Sequence, residues 1–252
     1  MVTSEEEQSA RFAIVSSARS GSNMLQSLLD RHPEVRCYGE IFNPSYPLGY
    51  QKWANRSLFK RLFCKYGRDR SVQEYLDSLF EFPRDSVTAV GFKVMYPGQF
   101  NRCAIFPFYW QEHSFKIVRL VRDNLLRRYV SGQIARRDER WSSNQAREDV
   151  VTIRVTPEEA RTSLRKMELI NRNIDAVVAE FDSITVKYEQ LVNGSADVIG
   201  KVCSFLGVSA ESLDRLEART ARQNPYSLAV LIENYEEIRT SLRHTEYEWM
   251  LD

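Results

Sequence analysis

Short apolar runs that alternate with stretches of helical spacing constrain the fold of this chain more than any other feature. The largely apolar runs lie at 11–17, 35–38, 88–95, 115–121 and 184–187. Continuous runs of this length are typical of strands buried on both faces of a parallel sheet. Because they alternate with helices, the sequence predicts an α/β fold with a doubly wound parallel sheet flanked by helices.

The stretches between these runs carry apolar residues at the spacing of a helix face. They predict helices at 22–31, 58–66, 72–80, 124–137 and 157–181. Asp123 is the predicted N-cap of the helix at 124–137, and Thr156 that of the helix at 157–181. Helices also predominate from Glu189 onward, which predicts a helical C-terminal part. We expect residues 1–10 to form a flexible tail and 11–252 a single domain.

Overall charge and cysteine usage exclude several classes of protein. The net charge is +1, so no overall field attracts nucleic acid or anionic lipid, and an anion site must come from a local arrangement. No stretch approaches the ~20 apolar residues of a membrane span. The four cysteines lie far apart without a CxxC pair, which argues against a metal site and against a disulfide framework. The expected compartment is therefore the cytoplasm. The oligomeric state stays open, a homodimer included.

A loop of small residues follows the first predicted strand, and we call residues 18–23 the anion loop. Gly21 permits unusual backbone dihedrals, and Arg19 supplies a forked, permanently charged donor. Ser20 and Ser22 add hydroxyls, and the N–H groups of the next helix would point at a bound anion. The alternative interpretation is a plain tight turn that carries a surface arginine.

The anion loop lacks the residues that ATP-hydrolysing P-loops require. The pattern G-x-x-x-x-G-K-[ST] would place lysine after Gly21, where this chain has Ser22 followed by Asn23. The lysine for the β- and γ-phosphates and the hydroxyl for Mg²⁺ are therefore missing. This indicates a P-loop-like fold that binds a different nucleotide, and a nucleotide kinase remains the first alternative.

A second candidate anion site follows the fourth predicted strand. Arg122 stands at the carboxyl end of that strand, and Ser131 lies on the helix behind it. Ligands of doubly wound sheets bind past the carboxyl ends of the strands, so Arg122 occupies a ligand position. The other arginines of this region are interpreted as a solvated helix face: Arg127, Arg128, Arg136, Arg137 and Arg140.

With two anion loops in this order, the chain resembles the PAPS-dependent sulfotransferases, particularly their bacterial carbohydrate-type branch (PAPS is 3′-phosphoadenosine 5′-phosphosulfate). The resemblance implies that residues 18–23 bind the 5′-phosphosulfate, with Arg19 serving both binding and catalysis. It implies that Arg122 and Ser131 bind the 3′-phosphate, although family members usually place that serine eight positions after the arginine, against nine here. Residues 184–192 resemble the late strand and helix of the family. Arg222, or Arg219, would contact the nucleotide from a C-terminal loop.

The resemblance also indicates the general base. Many family members carry K-T-H-x-P after the third strand, whereas this chain reads Lys93-Val94-Met95-Tyr96-Pro97. Met95 stands in the place of the histidine, so another base is needed. Carbohydrate-type members use a glutamate after the second strand, which here matches Glu40. Lys93 would assist as charge develops on the transferring group. The alternative interpretations are a surface carboxylate for Glu40 and a snorkelling side chain for Lys93.

Sulfuryl transfer by in-line displacement requires neither a metal nor a covalent intermediate, so no metal is predicted. The expected acceptor is a hydroxyl of a carbohydrate or a small metabolite. Aromatic residues in predicted loops form either an acceptor wall or core: Tyr46, Tyr50, Trp53, Phe106, Phe108, Tyr109 and Trp110. His113 is the reserve candidate for the base. A non-catalytic nucleotide-binding protein is the second alternative, and the near-neutral charge disfavours nucleic-acid binding.

Overall fold

A computed structural model describes residues 9–43, 68–80, 86–98, 106–138, 149–209 and 225–251. Several sequence predictions lie outside the described residues: the helix at 58–66, Tyr46, Tyr50, Trp53, Arg140, Arg219 and Arg222. Residues 1–8 of the predicted tail lie outside as well, and Ala10 already belongs to the first strand.

Five strands form one sheet in which every neighbouring pair is parallel. They are β1 (Ala10–Ser17), β2 (Val35–Cys37), β3 (Ala89–Tyr96), β4 (Lys116–Val121) and β5 (Ser183–Lys187). Their order across the sheet is β2-β3-β1-β4-β5. The prediction of a doubly wound parallel sheet is confirmed, and each predicted strand agrees with the observed one to within one residue at either end.

The helices of the described residues follow the strands along the chain. They are α1 (Ser22–Leu29), α2 (Arg68–Phe80), α3 (Phe106–Glu112), α4 (Leu125–Arg137), α5 (Pro157–Val178), α6 (Tyr188–Asn193), α7 (Ser195–Leu206), α8 (Leu228–Leu231) and α9 (Tyr235–Leu242), with a 3₁₀ turn at Glu248–Leu251. None of them is both long and apolar enough to cross a membrane.

Helix packing covers both faces of the sheet, because side chains alternate along the strands. Phe12 and Ile14 of β1 face a core built with α1 and α7, whereas Ala13 and Val15 face one built with α2, α3 and α5. All four are buried. β1 therefore lies at the centre, and its carboxyl end opens at the point where chain connections leave toward opposite edges of the sheet.

The caps of two helices test the predicted boundaries. Thr156 caps α5, and its capping box with Glu159 is complete. The predicted cap of α4 was wrong by one position: Asn124 is the N-cap and accepts from Arg127 N. Asp123 instead pairs with Lys187 across a 2.9 Å contact. The Asn124 amide also donates to Met250 O at 2.9 Å, which joins the start of α4 to the 3₁₀ turn.

The aromatic run before β4 is a helix rather than a loop. Phe106, Tyr109 and Trp110 lie on α3, are essentially inaccessible to solvent, and pack into the core beside α2. Phe108 is 73% exposed on the opposite side of the helix. The three buried side chains are therefore core residues, which decides between the two interpretations left open for them.

Candidate active site

The anion loop connects the carboxyl end of β1 to α1, and two of its residues have left-handed backbone conformations. Arg19 has φ 64° and Gly21 has φ 91°. A Cβ atom on Gly21 would lie 2.4 Å from Cδ2 of Tyr188. Glycine is thus required here for its dihedrals and also for the close approach of the Tyr188 ring.

The amino end of α1 presents backbone donors beside this loop. The first helical bonds run from Met24 N and Leu25 N to Gly21 O. Gly21 is the N-cap and has no side chain with which to cap the helix. The N–H groups of Ser22 and Asn23 therefore have no intrahelical acceptor, and together with the helix dipole they form a suitable environment for an anion.

Arg122 follows β4 and contacts the anion loop. Its Nη1 donates to Arg19 O at 3.3 Å, and its guanidinium lies 4.5 Å from the centre of the Tyr188 ring. Tyr188 thus supports both Gly21 and Arg122. A favourable contact between a guanidinium and an aromatic face of this kind restricts where the arginine can point.

Glu189 fixes the backbone that follows Arg122. Its two carboxylate oxygens accept from Asp123 N and Asn124 N, each at 3.2 Å. Tyr188 and Glu189 were assigned no role from the sequence, although they directly follow β5 at the same edge of the sheet. Their position after a strand was the available signal, because ligand sites of such sheets gather there.

Ser131 lies on the face of α4 that is turned toward the anion loop. Nε and Nη2 of Arg19 donate to its Oγ at 3.1 and 3.0 Å. The nine-residue spacing from Arg122 therefore brings Ser131 to the arginine of the first loop. The two predicted anion sites converge on one place, and the role of Ser131 toward a 3′-phosphate stays a prediction.

Arg128 is not part of a solvated face, which corrects the interpretation of the basic helix. Only 5% of the residue is exposed, and its Nε donates to Ala18 O at 2.9 Å. Burial, reinforced by the charges of Arg119 and Arg122, lowers the pKa of Arg128 to about 10. Arg136 and Arg137, at the far end of α4, are exposed as predicted.

The predicted base and its lysine lie together, Glu40 shortly after β2 and Lys93 on the neighbouring strand β3. Lys93 on β3 is buried; its Nζ donates to Asn23 Oδ1 and lies 3.5 Å from Glu40 Oε1. Asn43 donates to the second carboxylate oxygen of Glu40 at 3.1 Å. Burial lowers the pKa of Lys93 from its ordinary value, and the Glu40 carboxylate opposes that shift. Lys93 thereby links the carboxylate to the anion loop.

Histidine at the position of Met95 would face the anion loop, but the thioether there is a weak acceptor. Ser16 and Ser22 hydroxyls contact Met95 Sδ at 3.5 and 3.9 Å. The reserve candidate for the base, His113, lies between α3 and the start of β4. It is therefore at the amino ends of the strands, away from the anion loop. There it lies 3.9 Å from Asp77. Of the two candidates, Glu40 is the one that lies close to the anion loop, through Lys93, and its role as the base stays a prediction.

Residues 12–104 match the model of the sulfotransferase family. Proteins named nodulation protein H are similar over most of the chain. The one from Rhizobium tropici is 23% identical over 90% of this chain and 87% of its own length. The one from Rhizobium meliloti strain 1021 is 25% identical over 94% and 92%.

Two solved sulfotransferase structures are similar to this chain at low sequence identity. The crystal structure of a sulfotransferase from Alicyclobacillus acidocaldarius is 19% identical, with 86% of this chain and 87% of that chain covered, and a TM-score of 0.46. The sulfotransferase domain from the curacin biosynthetic pathway is 18% identical, with 81% and 76% covered, and a TM-score of 0.49.

Proposed function

We propose that this chain is a sulfotransferase that transfers a sulfuryl group from PAPS to an acceptor hydroxyl. The family match covers the anion loop, Glu40 and Lys93. The contact between Arg122 Nη1 and Arg19 O is the observation that carries the choice of donor. It joins two anion-binding elements, and a nucleotide with phosphate groups at both its 3′ and 5′ positions needs two such elements close together.

In this proposal the anion loop binds the 5′-phosphosulfate. Arg19, Ser20, Gly21, Ser22 and Asn23 would hold it through backbone N–H groups, hydroxyls and a guanidinium. Arg122 would bind the 3′-phosphate, with Ser131 beside it. Guanidinium groups suit phosphate oxygens because their donors form a planar fork. Arg222 stays a prediction for a contact from the C-terminal side.

The donor supplies an activated sulfuryl group; transfer joins its sulfur to the acceptor oxygen and breaks the bond from sulfur to the phosphate oxygen. Glu40 takes the proton that the attacking hydroxyl loses. Lys93, already beside both Glu40 and Asn23, presents a buried positive charge where negative charge develops. A preorganised cation in a dry environment is effective there because it needs no reorganisation during the reaction.

The proposed acceptor is a hydroxyl of a carbohydrate or a small metabolite. We also propose a cytoplasmic location, which the free, buried thiols of Cys37 and Cys203 favour over an oxidising compartment. A nucleotide kinase is the alternative that the experiment below separates from the proposal.

Calorimetric binding of adenosine 3′,5′-bisphosphate, the desulfated product of PAPS, tests the donor. We expect binding without a metal, and a loss of roughly 10- to 100-fold in the Arg122→Ala protein, because a charged hydrogen-bonding group to phosphate is removed. Arg136→Ala, an exposed arginine of the same region, is the matched control and should bind like the wild type. A preference for ATP with Mg²⁺ would replace this proposal with the kinase.

A further inference from the structure

Two arginines hold two consecutive carbonyl groups of the anion loop. Arg128 Nε donates to Ala18 O at 2.9 Å, and Arg122 Nη1 donates to Arg19 O at 3.3 Å. Arg122 directly follows β4 and Arg128 lies in the first turn of α4, so one short segment of chain supports both peptides. Arg128 therefore holds the backbone of the anion loop through a contact that does not involve a nucleotide.

The orientation of a carbonyl fixes the orientation of the next N–H group. In a planar trans peptide the C=O and N–H bonds point in opposite directions. With Ala18 O turned toward Arg128, the N–H of Arg19 points away from α4. The left-handed conformation of Arg19, φ 64°, belongs to the backbone shape in which successive N–H groups converge on an anion.

The location of Arg128 is electrostatically unfavourable, which makes its bond to the loop informative. The residue is 5% exposed and lies within the field of Arg119 and Arg122. Arg119 has its own carboxylate, Asp175, at 2.8 Å. Burying a charge is costly unless it is paired or hydrogen-bonded. A guanidinium at this position is therefore understandable if it orients the loop and if an arriving anion offsets the positive charge.

We propose that Arg128 is a positioning residue for the 5′ end of the nucleotide, acting through Ala18 O on the peptide whose N–H faces the 5′ group. This proposal rests on the proposed function, and it concerns a residue that contacts the loop rather than the nucleotide. It predicts selectivity: a change at Arg128 should lower the affinity for a ligand that carries a 5′-phosphate and leave the affinity for one that carries only a 3′-phosphate unchanged.

Arg128→Lys is the sharpest variant, because lysine keeps the charge and the aliphatic chain but has a methylene group where arginine has Nε. Two probes are titrated, adenosine 3′,5′-bisphosphate and adenosine 3′-monophosphate. We expect the variant to bind the bisphosphate roughly tenfold more weakly, the effect of losing one charged hydrogen bond, and the monophosphate within about twofold of the wild type. Arg136→Lys is the control, since it makes the same change in an exposed arginine of α4.

Each outcome separates the two proposals. If wild-type protein fails to bind the bisphosphate, the proposed function itself is wrong. If the wild type binds but Arg128→Lys is unchanged, or loses both probes equally, Arg128 has no selective role and this inference is overturned. Amide hydrogen exchange on the wild type needs no variant: the Arg19 N–H should gain protection with the bisphosphate and not with the 3′-monophosphate. Equal protection by the two probes would also overturn it.

Discussion

The candidate site has two halves that are held by different kinds of contact. The proposed nucleotide half comprises residues 18–23 with Arg122 and Arg128, and the proposed base half comprises Glu40, Lys93 and Asn43. In the first, carbonyls of the anion loop accept from Arg122 and Arg128, and Gly21 lies against the Tyr188 ring. In the second, Glu40 is held by Lys93 at 3.5 Å and by the Asn43 amide at 3.1 Å, and its side chain is 27% exposed. Arginine side chains from a distant element thus hold the loop carbonyls of the first half. In the second half a lysine and an amide hold the Glu40 carboxylate, on a backbone that Lys93 N joins to β3 through Gly39 O at 3.1 Å.

This difference implies a division of labour between binding and turnover. Rigid, preoriented donors reduce the cost of ordering a site when an anion binds. A partly exposed carboxylate keeps access to an incoming hydroxyl, which a general base needs. Changes in the nucleotide half should therefore alter affinity, and changes in the base half should alter the rate of the chemical step.

The largest expected effect is on turnover, in Glu40→Gln. The amide keeps the size of the side chain but cannot accept the proton, so the rate of sulfuryl transfer should fall by roughly 10²- to 10⁴-fold. Steady-state transfer from PAPS measures the rate, and calorimetry measures bisphosphate affinity. If Glu40→Gln binds the bisphosphate with an affinity within a few-fold of the wild type, the separation of binding from turnover is supported. Unchanged turnover would remove Glu40 as the base.

The next effect in size is on affinity, in Gly21→Ala. The added Cβ would meet the Tyr188 ring and would also strain a left-handed backbone, so we expect bisphosphate binding to weaken by about 100-fold. Gly207→Ala is a matched control, since Gly207 has φ 80° and no atom lies within 4 Å of the place that its Cβ would take. It carries the strain without the collision.

Thermal unfolding of both glycine variants distinguishes local from global damage. Each should lose stability, by about 1 kcal/mol from backbone strain, but only the Gly21 protein should lose affinity. Equal affinity in the two variants would mean that the close contact with Tyr188 does not shape the nucleotide half.

The smallest effect is the pH dependence of stability that Lys93 contributes. Because burial lowers its pKa, the unfolded chain binds a proton more readily than the folded one between the lowered pKa and the ordinary value of 10.5. The cost of burying the charge is fully present below the folded pKa, and stability contributed by this residue rises with pH through that window. Urea unfolding of wild type and Lys93→Met from pH 7 to 10 measures the difference.

The wild type should gain stability relative to Lys93→Met as the pH rises. An opposite sign would show that the Glu40 carboxylate outweighs burial, and the two halves would then be coupled more strongly than their contacts indicate. If the free energy of unfolding changes with pH in the same way in both proteins, Lys93 titrates outside the range from pH 7 to 10.

The sequence predicted the sheet well because buried parallel strands are continuous apolar runs. Arg19 and Arg122 could be placed at the carboxyl ends of strands from local order, whereas Glu40 was indicated by the family resemblance. Their functional roles stay predictions. The helix α3 was missed because its first turn contains Pro107, which reads as a loop signal although proline fits the start of a helix.

The remaining errors concern contacts between elements distant in sequence. Arg128 resembled its exposed neighbours because helix periodicity alone does not reveal that the anion loop packs against α4. Tyr188 lies some 165 residues beyond the anion loop that its ring contacts, and Glu189 lies 66 residues beyond Asp123. Residues that act by holding another segment carry a weak local signature, since their partners are set by the assembled fold.

The bond from Asn124 to Met250 has a consequence for the order of assembly during synthesis. Asn124 lies two positions after Arg122, and its amide reaches an acceptor that is translated 126 residues later. The sheet and the anion loop can pair while the chain is still growing. The start of α4, however, can form this bond only after residue 250 has left the ribosome, so a nascent chain shorter than this lacks one of the contacts beside Arg122.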